Sequence, residues 1–172
     1  SSNIIAIGEI GIDFYRNKDN KKKQIKAFEI QCEYALKKNL PIVIHTRNSI
    51  DETIKVVSKY SNQGLKGVFH CFAGNLNQAN RIIDLGFKIG VGGILTFKNS
   101  DIRNVISKVD LEHIILETDS PYLSPEPKRG ALNEPANIIF VSKKLSEICS
   151  LPTELVANVT TKNVINLFDL QS

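Results

Sequence analysis

The chain has no methionine and no tryptophan, and only three cysteines. Each shortage excludes something. With not even a starting Met among 172 residues, the sequence is not expected to be a primary translation product, and a further N-terminal part is expected ahead of Ser1. The opening SSNIIAIGE has neither the basic start nor the cleavage region of a secretory leader, so the cytoplasm is the default location, with any targeting signal expected upstream. Cys32, Cys71 and Cys149 are odd in number and form no CxxC pair, which argues against a disulfide framework and fits a reducing compartment. No apolar run reaches the roughly 18 residues that a membrane span requires, so no membrane partner is expected. Linkers, internal repeats and low-complexity segments are missing too, and residues 1–172 read as a single domain.

What is present is the balance of a soluble globular protein, 42% hydrophobic and 23% charged. The net charge of +4 is compatible with a polyanionic partner and equally with an ordinary, slightly basic surface. Lys21-Lys22-Lys23 reads as a solvated helix start rather than a binding patch.

Five short runs read as strands: Ile4–Ile7, Pro41–Ile44, Gly67–Phe69, Phe87–Val91 and Ile114–Leu116. Each is a continuous apolar patch rather than an in/out alternation, which is how strands buried on both faces of a parallel sheet look. Helical stretches separate them. Ile25, Phe28, Cys32, Ala35 and Leu36 fall at helical spacing. Ser49 with Glu52 reads as a capping box, and Asn75 as a helix cap. Ile102, Val105, Ile106 and Val109 mark another helix, and the tail from about Pro135 is predicted helical, with Leu167 and Phe168 closing the core. The alternation predicts an α/β protein of right-handed βαβ units, either an open sheet or part of an eight-stranded (β/α) barrel. Complete barrels need roughly 200 residues or more, so only about five of eight strands are expected in this chain.

Four of the runs lead into a metal-capable residue: Glu9, His45, His70 and Asp119. In parallel α/β folds, function gathers outside the carboxyl ends of the strands. Four such residues on four strands would converge on one pocket. His113 precedes its strand, at the opposite end, and reads as structural. Cys71 adjoins a candidate ligand but is expected to be a small buried residue. Burying Glu9 would be costly unless it were paired or metal-bound. Imidazole with carboxylate suits Zn2+ or Mn2+, and Mg2+ where carboxylates and water dominate. Such an ion makes a coordinated water more acidic and polarises a carbonyl or phosphoryl oxygen. Arg47, two residues past His45, could grip an anionic substrate, or form a surface salt bridge.

These stretches together resemble the TatD family of metal-dependent deoxyribonucleases, within the amidohydrolase-like barrels. The matching segments are AIGEIGIDFY, LPIVIHTR, GVFHCFAG, FKIGVGGILTF, ILETDSPYL, KRGALNEPANI and VTTKNVINLF, in the family's order across nearly the whole chain. The resemblance implies a (β/α)8 TIM-barrel-type fold and a site with two divalent ions (Mg2+, Mn2+ or Zn2+). Glu9 would bridge both ions, His45 and His70 would complete the second position, and Asp119 would bind the first and act on the water. Glu9 and Asp119 are thus the implied catalytic residues. Arg47, Arg129, Asn133 and Glu134 are implied contacts to substrate phosphate, with Asp13 and Tyr15 close by. The implied reaction is hydrolysis of DNA phosphodiester bonds from an end.

One part of the family's pattern is missing: an opening strand with His-x-His and two further βα units. The chain therefore reads as the C-terminal portion of such a barrel. It is expected to hold the second ion better than the first, and to have impaired activity alone. A missing N-terminal segment, or another chain, would complete the barrel. Two alternatives stand beside the nuclease: another amidohydrolase-type enzyme acting on a small substrate, and an inactive fragment or subunit.

Overall fold

The computed structural model describes residues 4–15 and 19–170; the first three residues, where the leader reading begins, lie outside them. The strands are β1 (Ile7–Asp13), β2 (Ile42–Arg47), β3 (Gly67–Phe69), β4 (Lys88–Val91) and β5 (Ile114–Leu116). They form one sheet in the order β1-β2-β3-β4-β5, every neighbouring pair parallel. Sequential parallel order with a helix in each crossover is the pattern of a (β/α) barrel, not of a sheet that reverses its strand order part-way. The crossovers carry α1 (Lys21–Lys38), α2 (Ile50–Val57), α3 (Leu76–Asp84) and α4 (Ile102–Ile106), and α5 (Ile138–Cys149) and α6 (Thr153–Phe168) follow β5.

The two faces of the sheet differ, because successive strand side chains point to opposite sides. One face presents Ile10, Ile12, Ile42, Ile44, Phe69, Ile89, Val91 and Ile114, all buried in one large core with Phe28, Cys32 and Ala35 of α1, Ile54 and Val57 of α2, and Ala79 and Ile82 of α3. Phe69 and Phe87 meet edge to face within it, a favoured aromatic geometry. The intervening positions form the other face. There Val43, Val68 and Ile115 gather with Val164, Leu167 and Phe168 from the end of α6 in a small second cluster. Moving along the strands toward their carboxyl ends, this face changes from apolar to polar.

Three local expectations need correction. The first strand is Ile7–Asp13 rather than Ile4–Ile7, and β2 runs on to Arg47. Parallel pairing from Ile10↔Ile44 to Asp13↔Arg47 carries both strands past their apolar runs, so Glu9 and His45 lie within strands, not after them. Ser49 does not cap α2 through its side chain; its hydroxyl donates to the Ile12 carbonyl instead, tying α2 to β1. Asn75, by contrast, forms a full capping box with Gln78. Among the described residues no helix is long and apolar enough to cross a membrane.

Candidate metal centre

The polar half of the inner face is built by strand parity. Glu9, Gly11 and Asp13 alternate along β1 and His45 follows Val43 on β2. His70 and Glu117 come just after β3 and β5. Gly11 stands opposite His45 in the ladder, with φ 148. A Cβ there would overlap the His45 carbonyl, so only glycine lets β1 and β2 approach closely enough for their side chains to meet.

They meet at one point. Glu9 Oε2 lies 3.3 Å from His70 Nε2 and 3.8 Å from His45 Nδ1. The two imidazole nitrogens are 3.4 Å apart. Donors held at about 2.0–2.1 Å by a tetrahedral ion stand roughly 3.3–3.4 Å from one another, so this triangle has the size of a cation's coordination edge. A carboxylate with two imidazoles is also the right donor chemistry for Zn2+ or Mn2+.

The far side of each imidazole fits the same purpose. His45 Nε2 is 3.2 Å from Asp13 Oδ2, and donation there leaves the Nδ1 lone pair directed at the triangle. His70 Nδ1 stands 3.8 Å from Glu117 Oε1. Carboxylates behind metal-binding histidines fix ring orientation and tautomer. Partial burial pushes the Asp13 carboxyl up, but the Tyr15 N–H bonded to it and the neighbouring His45 and Arg47 outweigh this and hold it below its ordinary value.

Glu117 carries no role in the sequence reading, and the structure gives it one. Its carboxylate accepts a hydrogen bond from the Cys71 N–H and faces His70. Burial pushes its pKa up, against the pull of His70. Glu9, for which burial was expected, is exposed, its side chain retaining 53% of its accessibility. The more deeply set carboxylate is therefore Glu117, whose side chain retains 20% of its accessibility. A signal for it existed: Glu117 is the first polar residue after the apolar run of β5, the same relation that singles out His70 after β3.

Asp119 sits two residues beyond Glu117, at φ 56. Its carboxylate, His70 and the Cys71 sulfur form a second donor group that shares His70 with the first. Burial pushes the Asp119 carboxyl up; His70 pulls it down and Glu9 adds to the rise. The Cys71 thiol is pushed well above its usual value by burial and by Glu117 and Asp119, so it acts as a hydrogen-bond donor between them. Among non-glycine residues with positive φ, Asn39, Ser150 and Asp169 end helices, while Asn48, Cys71, Asp119 and Leu123 follow strands on this side. Such backbone persists where the surroundings over-determine it, as functional sites do.

The expected substrate contacts divide. Arg47 is exposed and stacks on Tyr15, 3.6 Å from the ring centroid. Arg129 is exposed and lies over Phe97 at 3.9 Å. Glu134 is exposed as well. Asn133 is different: it is buried, and its amide is fully used within the chain, leaving no group free for a substrate. His113, read as structural, pairs with Glu112 just ahead of β5 at 3.4 Å.

The family model described as TatD-related DNase matches residues 1–169. The chain belongs to that family. An uncharacterized metal-dependent hydrolase of Buchnera aphidicola is 40% identical over 168 residues, covering 97% of this chain and 64% of the relative. The crystal structure of YjjV, a TatD homologue from Escherichia coli, superimposes with a TM-score of 0.93 at 31% identity, over 99% of this chain and 66% of that one. An uncharacterized amidohydrolase from Saccharomyces cerevisiae matches with a TM-score of 0.80 over 95% of this chain and 64% of its own, at 18% identity, a likeness of fold alone. The five strands thus belong to a TIM-barrel-type TatD fold, and the chain spans a little under two thirds of the Buchnera relative. TatD-family relatives are metal-dependent hydrolases, and the Glu9–His45–His70 triangle is a donor set of the kind such an enzyme needs.

Proposed function

We propose that the protein acts as a metal-dependent deoxyribonuclease, removing nucleotides from a DNA end at a site that holds two divalent ions when complete. The carrying observation is the convergence of Glu9, His45 and His70, with Asp119 sharing His70, beside an exposed Arg47 stacked on Tyr15. When bound, such ions supply Lewis acidity to a phosphoryl group and to water. The chain's own residues supply the rest. Glu9 and the two imidazoles would hold one ion, with Asp13 and Glu117 orienting the rings, and Glu9 and Asp119 would contribute to the other. Asp119 takes the proton of the attacking water. Arg47 and Arg129 grip phosphates, and the ring beneath each fixes the plane of its guanidinium.

The surroundings support completion by further barrel strands. β1 and β5 are each paired on one side only among the described residues. Exposed Ile4, Ile5, Ile30 and Tyr34 flank β1. Toward β5, exposed Ile139 joins Leu116 and residues of α5 and α6 in lining an apolar groove of about 530 Å³. Apolar edges of this kind call for a cover. Three more βα units, preceding this segment or supplied by another chain, would close the barrel and bring the remaining ligands of the first ion.

The test is release of nucleotides from end-labelled DNA with Mg2+ or Mn2+. The 172-residue chain is expected to show little activity by itself. The complete barrel is expected to be active, and Glu9→Ala and Asp119→Ala to abolish that activity. A complete barrel that binds metal but leaves DNA ends intact would redirect the reading to a smaller substrate.

A further inference from the structure

The turn that carries Asp119 leaves the sheet after β5, where strand pairing no longer holds the main chain. A single buried side chain takes over. The Asn133 Nδ2 donates to the carbonyls of Thr118 and Tyr122, at 2.6 and 2.7 Å, on either side of Asp119. The Asn133 N–H donates to the Pro121 carbonyl at 3.0 Å. Its Oδ1 accepts from the Glu134 N–H and from Asn137 Nδ2, both at 3.0 Å.

The orientation of this amide is forced. Carbonyl oxygens only accept and a backbone N–H only donates, so a flipped Asn133 would oppose like groups at three of its four contacts. Asn133 and Asn137 are 5% and 4% exposed, and an unmatched polar group at such depth is costly. The same turn is braced from its far side. A Cβ on Gly93 would overlap the Leu123 carbonyl, and Thr96 Oγ1 accepts the Glu126 N–H at 2.8 Å.

We propose that Asn133 and Asn137 form an amide latch that holds the Asp119 carboxylate at the metal centre, so that Asn133 is a positioning residue and not a substrate contact. Ligand side chains must be held within about 0.5 Å of their working geometry. Asp119, in left-handed backbone on a loop, has no strand to provide this. The inference rests on the metal centre and not on DNA being the substrate.

The test is a titration of the metal-free complete barrel with Mn2+, following free Mn2+ by its EPR signal and reading the affinity of the position that Asp119 serves. Asn133→Asp keeps the size and the Oδ1 acceptor but sets a carboxylate oxygen against the Thr118 and Tyr122 carbonyls. It is expected to weaken Mn2+ binding about tenfold or more, as Asp119→Asn does. The double variant should bind no more weakly than Asp119→Asn alone, because both changes act on one ligand. Asn137→Ala removes only the orienting donor, should weaken binding about threefold, and decides the matter if Asn133→Asp does not fold. A merely structural role would lower the melting temperature and leave Mn2+ affinity alone. The latch is refuted if the folded variants bind Mn2+ within about twofold of the parent, or if Asp119→Asn itself binds as the parent does. DNA enters none of these measurements, so failure of the nuclease reading would leave the outcome intact.

Discussion

Replacing Gly11 by alanine would test the link between backbone packing and the metal centre. Gly11 stands opposite His45 at φ 148, and its missing Cβ is the space that the His45 carbonyl occupies. Alanine must hold this backbone conformation at a cost of roughly 1–3 kcal/mol and also part the strands by about 1 Å to restore ordinary contact. Parting would also weaken one or two ladder hydrogen bonds worth about 1 kcal/mol each. The sum is about 2–5 kcal/mol, a large share of the roughly 5–15 kcal/mol that stabilises a domain. At this chain length each kcal/mol lowers the melting temperature by about 2–4 °C. A fall of about 4–20 °C is therefore expected by calorimetry in EDTA. The metal centre should suffer separately. Glu9 and His45 sit on the two strands being parted, already 3.8 Å from Nδ1 to Oε2. A further separation takes them off the coordination edge, and Mn2+ affinity should fall by about tenfold or more. A Gly11→Ala protein that melts within about 2 °C of the parent and binds Mn2+ as the parent does would refute the close-approach argument.

Three other changes probe different parts of the molecule. Glu117 has a pKa raised above its unfolded value of 4.5, so its ionisation opposes folding: that penalty is absent below the unfolded value and grows as pH rises toward the folded one. Metal-free Glu117→Gln should therefore melt higher than the parent at pH 7.5 and no higher near pH 4, while binding Mn2+ about tenfold or more weakly; a lower melting temperature at pH 7.5 would count against burial as the dominant influence. Cys32 is fully buried and burial raises its thiol to about 12, so iodoacetamide at pH 8 should leave it unmodified in the native protein and label it in urea, as peptide mapping would show. Arg47→Ala should weaken DNA binding and reduce the slope of log K against log salt by about 1, with Mn2+ affinity unchanged; an unaltered salt slope would exclude a phosphate contact.

Much of this architecture was legible because its causes are local. Continuous apolar runs divided by helical spacing mark a parallel α/β protein. The step from apolar run to His70 or Asp119 marks where a strand leaves the core. Strand limits were less legible. β1 and β2 extend each other by pairing from Ile10↔Ile44 to Asp13↔Arg47, a partnership between segments far apart in the chain. Ser49 and Asn75 show the same limit at helix starts. Both have a capping sequence, but only Asn75 caps, because the Ser49 hydroxyl finds the Ile12 carbonyl across the fold.

The candidate site divides along the same line. Residue type and motif order marked Glu9, His45, His70 and Asp119 as metal-capable and Arg47 as a cation near them. How deeply each carboxylate sits was decided by packing: Glu9 faces solvent, while Glu117 is only partly exposed. The part of Asn133 depends equally on contacts that no short window contains, since its partners Thr118, Pro121 and Tyr122 lie across a turn. Sequence alone therefore determined the fold class, the family and the donor chemistry, which follow from composition, periodicity and motif. Only tertiary structure decided which imidazole nitrogens face the shared point, which acids stand behind them, and whether a polar side chain turns to substrate or to the main chain. Those outcomes depend on distances between strands, and such distances exist only once the chain has packed.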